Sequence, residues 1–153
     1  MIHRFLLSAL IVSTLSALPG FGSEPSSPKN SDTITLKEGY VRAVPASSEN
    51  SAAYFTILNS GKKSVTLLKA DSSLARAVEL HEHRHENGMM KMVQVPSIEV
   101  PAGESVELEP MGLHIMMIGL KKPFFSAKEI VLKLSFSDGK SRTVRLPVKK
   151  EEE

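Results

Sequence analysis

Short runs of apolar residues, which alternate with polar ones or are rich in β-branched types, follow one another along most of the chain. Turn-forming residues separate the runs, and no segment of about 12 or more residues has a convincing helical period. Short strands at this spacing predict an all-β protein, an antiparallel β-sandwich or barrel. The predicted strands are residues 33–36, 39–44, 52–59, 64–70, 77–85, 89–95, 104–108, 114–120, 129–136 and 142–148.

Two dipeptides, Asn87-Gly88 and Asp138-Gly139, indicate tight hairpins, because both suit the positive φ angles of a type I′ turn. A two-residue loop at Asn87-Gly88 would place His81 diagonal to Met92, whereas a longer loop would shift this register. For the two-residue loop the predicted cross-strand pairs are Glu86 with Met89, His85 with Met90 and His83 with Met92. Either register directs imidazoles and thioethers to one face, since side chains on a strand repeat every second residue.

The N-terminal segment differs in composition from the rest of the chain. His3 and Arg4 precede a mainly apolar run that extends to Leu18 and is followed by small residues, which is typical of a secretory signal peptide. The run is too interrupted for a confident membrane span of about 20 apolar residues, and an uncleaved anchor is the alternative. The predicted organisation is a signal peptide at 1–23, a flexible linker at 24–32, a β-sandwich domain at 33–148 and a charged tail at 149–153.

Composition narrows the classes of protein that fit. The 153 residues include no cysteine, so the core alone must hold the fold, and no thiol is present to carry a lipid. The formal charge is +2 at pH 7 and would fall to about +1 if residues 1–23 were removed. We therefore expect no nucleic-acid partner.

Histidine and methionine are confined to one part of the chain. Apart from Met1 and His3, every residue of either type lies between positions 81 and 117. A thioether is a poor ligand for Zn²⁺, Mg²⁺ or Ca²⁺ and a good one for Cu(I), which also accepts imidazole. Without a thiolate, a blue-copper electron-transfer centre is excluded. The clustering predicts a soft-metal site.

Simpler interpretations of the same residues exist. Methionine often fills irregular core gaps, and Met116 or Met117 could do only that. His83 and His85 alternate with charged residues and could be ordinary exposed side chains. Because strand residues alternate, Met117 should face away from Met116, and we expect Met117 in the core.

The spacing of four of these residues resembles the ligand motif of the periplasmic copper chaperones known as the PCuAC or DUF461 family. Ten residues separate His81 from Met92, and twenty-one separate Met92 from the pair His114-x-Met116. The surrounding segments GYVRAVP, SAAYFTILNSG, VELHEH and IEVPAGESVELEPMGLHIMMIGL agree with that family. The resemblance covers about residues 36–148.

The resemblance implies a cupredoxin-like Greek-key sandwich that binds one Cu(I) at an exposed site. Its metal ligands would be His81, Met92, His114 and Met116. The implied role is capture of copper in the periplasm and transfer to the copper centres of respiratory oxidases, through a copper-receiving oxidase subunit or a thioredoxin-like copper chaperone. We expect a monomer.

Further soft ligands surround the motif. Met111 stands where relatives usually have a small or polar residue, and Met89 lies nearby. His83, His85 and Met90 share the predicted face and form a secondary metal site in this hypothesis, for a second or oxidised ion, because Cu(II) prefers imidazole nitrogen.

Three other functions compete with delivery. A Zn²⁺ or Cu(II) enzyme would need an open coordination position and a general base. The nearest carboxylates, Glu79 and Glu82, offer no obvious buried base, and Glu82 alternates to the face opposite His81, so we expect no enzyme. Copper buffering or resistance without delivery would use the same site. A metal-free β-sandwich interaction protein would use the methionines as a sticky surface.

Overall fold

The computed structural model describes residues 32–150. The predicted signal peptide, all of the predicted linker except Asp32, and residues 151–153 of the predicted tail lie outside this range. Asp32 is the one linker residue inside this range, and its carboxylate accepts hydrogen bonds from Arg142. Within residues 32–150, no helix has the length and apolar character needed to cross a membrane.

Ten strands and one short 3₁₀ helix make up the described chain. The strands are β1 (Ile34–Arg42), β2 (Asn50–Asn59), β3 (Val65–Asp71), β4 (Ala75–Glu86), β5 (Met89–Gln94), β6 (Ile98–Val100), β7 (Ser105–Glu107), β8 (Leu113–Leu120), β9 (Glu129–Phe136) and β10 (Ser141–Lys149). The 3₁₀ helix, Lys122–Ser126, lies between β8 and β9. Nine of these strands match predicted ones, except that the two runs predicted at 33–44 form the single strand β1, whose register shifts between Leu36 and Gly39.

The ten strands form one continuous hydrogen-bonded sheet, which the parallel pairing of β1 with β10 divides into two parts, and this confirms the all-β sandwich prediction. The first, called here the site sheet, has the order β5-β4-β8-β2-β1, with β7 also paired to β2. The second has the order β10-β9-β3-β6. The pairings within both parts are antiparallel, whereas β1 and β10 pair in parallel where the parts join.

The core lies between the inward faces of the two parts. In β9 the burial alternates residue by residue, so Ile130, Leu132 and Leu134 are fully buried while their neighbours are exposed or partly exposed. From the site sheet, Ile115 and Met117 of β8 join the same apolar cluster. This alternation leaves the even-numbered residues of β8 on the outward face.

The two predicted hairpin turns have different outcomes. Asn87 and Gly88 both have positive φ angles, 52° and 74°, as a type I′ turn requires. At Asp138-Gly139 the type I′ prediction is wrong, because only Gly139 has a positive φ. There the Phe136 N–H donates to the Lys140 carbonyl, which closes a three-residue loop with glycine in its left-handed position.

Candidate metal centre

Three adjacent strands, β5, β4 and β8, bring the predicted site residues together. In the β4–β8 pair His81 lies opposite His114, and in the β4–β5 pair His83 lies opposite Met92, which places Met92 diagonal to His81. Met116 lies opposite Glu79, one pleat further along β8. These side chains therefore share the outward face of the site sheet, and the register confirms the two-residue-loop prediction.

A cavity of about 230 Å³ opens on this face. Five of its lining residues carry an imidazole or a thioether: His83, Met92, Met111, His114 and Met116. His81 does not line the cavity, although its ring is close to that of His114, which does. The cavity therefore joins three of the four motif residues with two others, His83 and Met111.

His114 is the buried member of the cluster, with only 2% of its surface exposed. Its Nδ1 lies 3.1 Å from the Gly112 carbonyl oxygen, which can only accept, so Nδ1 carries the proton and Nε2 keeps its lone pair. Burial lowers the pKa of His114, and the nearby His83, His81 and Arg42 lower it further, although the bond to Gly112 acts in the opposite direction. A neutral imidazole is the form that binds metal.

His81 and His83 flank His114 on the adjacent strand. Their ring centroids lie 5.8 Å and 5.1 Å from that of His114. The His81 Nε2 is 2.8 Å from a Glu79 carboxylate oxygen. The Nδ1 atoms of both His81 and His83 are buried without a hydrogen-bond partner. Among residues 32–150, no three His, Asp or Glu side chains are grouped closely enough to hold a metal ion by themselves.

The methionines divide according to strand face and exposure. Met117 is fully buried, as predicted, whereas Met116 is partly buried on the outward face. Met92 is 47% exposed at the cavity. Met111, at 62% exposed, has a positive φ of 67°. Thioethers are thus available from partly buried to exposed positions around His114.

The three residues of the predicted secondary metal site, His83, His85 and Met90, lie in two different places. His83 lines the same cavity as His114. His85 and Met90 lie further toward the hairpin turn, where the His85 Nδ1 is 3.0 Å from the Met90 sulfur. The side-chain contact joins an exposed imidazole and an exposed thioether.

Two wall residues of the cavity were not predicted as site residues. The Arg42 guanidinium donates a 2.6 Å hydrogen bond to the Tyr54 hydroxyl. The Tyr54 ring centroid lies 6.4 Å from that of His114. Both residues alternate with core positions, Val41 and Phe55, and this alternation is the sequence signal that could have placed them on the outward face.

Comparison with known proteins identifies related chains. The family described as "Putative lipoprotein LpqE-like" matches residues 34–148. A protein of Leifsonia xyli subsp. xyli, described only as a putative lipoprotein, is 35% identical over 133 residues, 86% of this chain and 78% of that protein. The present chain, by contrast, has no cysteine that could carry a lipid.

Solved structures give a second line of comparison. Cu(I)-bound DR1885 from Deinococcus radiodurans is 32% identical, with a TM-score of 0.65 over 82% of this chain and 84% of that one. The copper-bound PCuAC domain from PmoF2 has the same fold at 18% identity, with a TM-score of 0.65 over 78% of this chain and 95% of that domain. The chain therefore belongs to the LpqE-like, PCuAC-type family and has its cupredoxin-like fold.

Proposed function

We propose that this protein is an exported copper chaperone that binds one Cu(I) ion and delivers it to the copper centres of respiratory oxidases. The observation that carries the proposal is the gathering of imidazoles and thioethers from β4, β5 and β8 on one outward face. Thioethers favour Cu(I) over harder ions, and imidazole completes a ligand set for it. The 32% identity to a Cu(I)-bound protein supports the same metal.

The proposed ligands are His81, Met92, His114 and Met116. The Nε2 lone pair of His114 is free, because Nδ1 bonds to Gly112. For His81, a proton on Nε2 would bond to Glu79 and leave the buried Nδ1 as the donor atom. A carboxylate partner that fixes the tautomer of a ligating histidine is a common feature of metal sites.

The exposure of the site is compatible with delivery. Met92 lies on β5, which ends the site sheet, and is 47% exposed. Neutral imidazole and thioether ligands would bind Cu(I) without the charge of a thiolate, so ligands of a partner could replace them one at a time. The proposed partner is a copper-receiving oxidase subunit or a thioredoxin-like copper chaperone, and the proposed carrier is a monomer.

The secondary set His83, His85 and Met90 is proposed to bind a second ion or Cu(II). Its support is the close contact of His85 with Met90 and the position of His83 beside His114. Imidazole nitrogen suits Cu(II), whereas the thioethers suit Cu(I).

Export to the periplasm is part of the proposal. It rests on the predicted signal peptide at residues 1–23 and on the lipoprotein designation of the family. The carrier would not be an enzyme, in keeping with solved relatives described as copper-binding domains.

An anaerobic competition between the full-length protein and a chromophoric Cu(I) chelator tests the site. We expect one tightly bound Cu(I) per chain, and a loss of at least about 100-fold in affinity in the double variant Met92→Leu, His114→Ala. Met89→Leu is the matched control, because Met89 is exposed outside the cavity. Failure of the wild type to compete, or unchanged affinity in the double variant, would reject the copper site.

A copper-accepting partner protein distinguishes the delivery function from the buffering function. Cu(I) transfer from the loaded protein to an apo oxidase subunit or a thioredoxin-like chaperone should be faster than release to buffer. Equal rates would favour the buffering function.

A further inference from the structure

Met111 lies at the mouth of the cavity, in the loop between β7 and β8. It lines the cavity with Met92, His114 and Met116, yet 62% of its surface is exposed. At most positions an exposed methionine is an ordinary surface residue and needs no functional explanation. Here, however, the thioether lies beside the proposed copper ligands.

The backbone holds this loop against the site. Gly112 directly follows Met111. Its carbonyl accepts hydrogen bonds from the His83 backbone N–H at 3.2 Å and from the His114 Nδ1–H at 3.1 Å. On the other side, the Gly112 N–H donates to the Glu109 carbonyl at 3.1 Å. Gly112, whose carbonyl orients the buried imidazole, thus also anchors the backbone next to Met111.

Met111 has a backbone conformation that is unfavourable for its residue type. Its φ of 67° is in the left-handed region, which glycine occupies at much lower cost than an L side chain. Glycine would therefore fit this backbone better, although it would supply no thioether.

We propose that Met111 is a third thioether ligand, which contacts Cu(I) at the mouth of the cavity as the ion enters and leaves. This inference rests on the proposed copper site and adds the path by which the ion exchanges. An exposed sulfur beside partly buried ones lets the ion exchange one ligand at a time. Met89, at 60% exposed, lies outside the cavity and has no such role.

Transfer kinetics of the full-length protein test this role. Cu(I)-loaded Met111→Leu and Met111→Gly are mixed with a chromophoric chelator in a stopped-flow instrument, with Met89→Leu as the control. We expect both Met111 variants to transfer about tenfold more slowly than the wild type, and Met89→Leu to transfer at the wild-type rate. Met111→Gly should also have a higher unfolding midpoint, which separates backbone strain from the loss of sulfur.

A spectroscopic readout is independent of transfer. With ¹³C-methyl methionine, the Met111 methyl resonance should shift on substoichiometric addition of Cu(I), whereas that of Met89 should not. Wild-type transfer rates in both Met111 variants, together with an unshifted Met111 methyl, would overturn this inference and leave the copper site standing. A wild type that binds no Cu(I) would instead overturn the proposed function itself.

Discussion

Two adjacent methionines of β8, Met116 and Met117, point to opposite faces of the sheet. Met117 faces the core and is fully buried, while Met116 faces outward into the cavity. The alternation of a strand predicts this division, and it requires no knowledge of the rest of the fold. The same residue type therefore packs in the core at one position and lines the cavity at the next.

Substitutions at the two positions should have opposite consequences. Met116→Leu should lower Cu(I) affinity and change the free energy of unfolding by less than about 1 kcal/mol, because the volume is conserved. Met117→Ala should lower the free energy of unfolding by about 2–5 kcal/mol, because it leaves a core cavity. Urea unfolding and chelator competition measure the two quantities. A Met117→Ala variant that is folded but has lost Cu(I) affinity would contradict this division.

His81 and His83 provide a second test at the scale of single residues. The family resemblance favours His81 as the ligand, whereas His83 is the one that lines the cavity. We expect His81→Ala to lower Cu(I) affinity more than His83→Ala, and His83→Ala to have the larger effect on Cu(II). Paired titrations with each oxidation state measure this. The reverse order for Cu(I) would transfer the ligand role to His83.

At the scale of elements, the hairpin of β4 and β5 could be predicted in detail because its turn residues fix its register. Asn87-Gly88 favours a two-residue loop over a longer one, and the cross-strand pairs predicted for that loop are the observed ones. Asp138-Gly139 looked equivalent, but the Asp138 carboxylate accepts bonds from the Lys140 N–H and from Arg142, and only glycine has positive φ. Strand β6, the three residues IEV, was not predicted, whereas the equally short β7 lies inside the predicted run 104–108.

The hairpin depends on its turn, because β5 pairs with β4 alone. Gly88→Ala should cost about 1 kcal/mol, since φ is 74° and an L side chain is strained there. The cost should appear as faster amide hydrogen exchange in β5 and a modest loss of Cu(I) affinity through Met92.

Gly103→Ala is the matched control for that prediction. Its φ is 73°, and at both glycines an added Cβ would meet no atom within 4 Å. The two variants should lose similar global stability, but only Gly88→Ala should affect copper. Equal losses of Cu(I) affinity in the two variants would show that the hairpin has no special part in the site.

At the scale of the whole molecule, the sequence predicted the sandwich and the grouping of soft ligands better than it predicted their surroundings. The resemblance to the family's ligand motif related His81, Met92, His114 and Met116, because the spacing of these four residues is specific. Arg42 and Tyr54 form part of the cavity wall because β2 lies next to β8, and β1 next to β2, in the sheet order β8-β2-β1. That order is a long-range pairing, which local patterns do not specify.

One ion cluster joins the start of the described chain to its last hairpin. Arg142 of β10, 8% exposed, donates to Asp32 before β1 and to Asp138 in the β9–β10 loop. Its guanidinium also lies 4.7 Å from the centre of the Phe136 ring. The hydrogen bonds from Arg142 lower the pKa of Asp32 and of Asp138. Breaking the cluster would leave a largely buried charge with fewer partners.

The pH dependence of this cluster has a definite sign. A carboxyl group whose pKa is lower in the folded state than in the unfolded chain stabilises the fold above about pH 4, and this contribution is lost as the pH falls through the folded value. Asp138→Asn should therefore lower the free energy of unfolding by about 1 kcal/mol at pH 7, and the difference from wild type should shrink as the pH falls below about 4. Asp71→Asn removes an exposed ion pair with Lys69 and should change the stability by less than about 0.5 kcal/mol at either pH. Urea unfolding at pH 7, 5 and 3 measures both variants. If Asp138→Asn lowers the free energy of unfolding by the same amount at every pH, then packing, and not the ionised carboxylate, stabilises this corner of the sandwich.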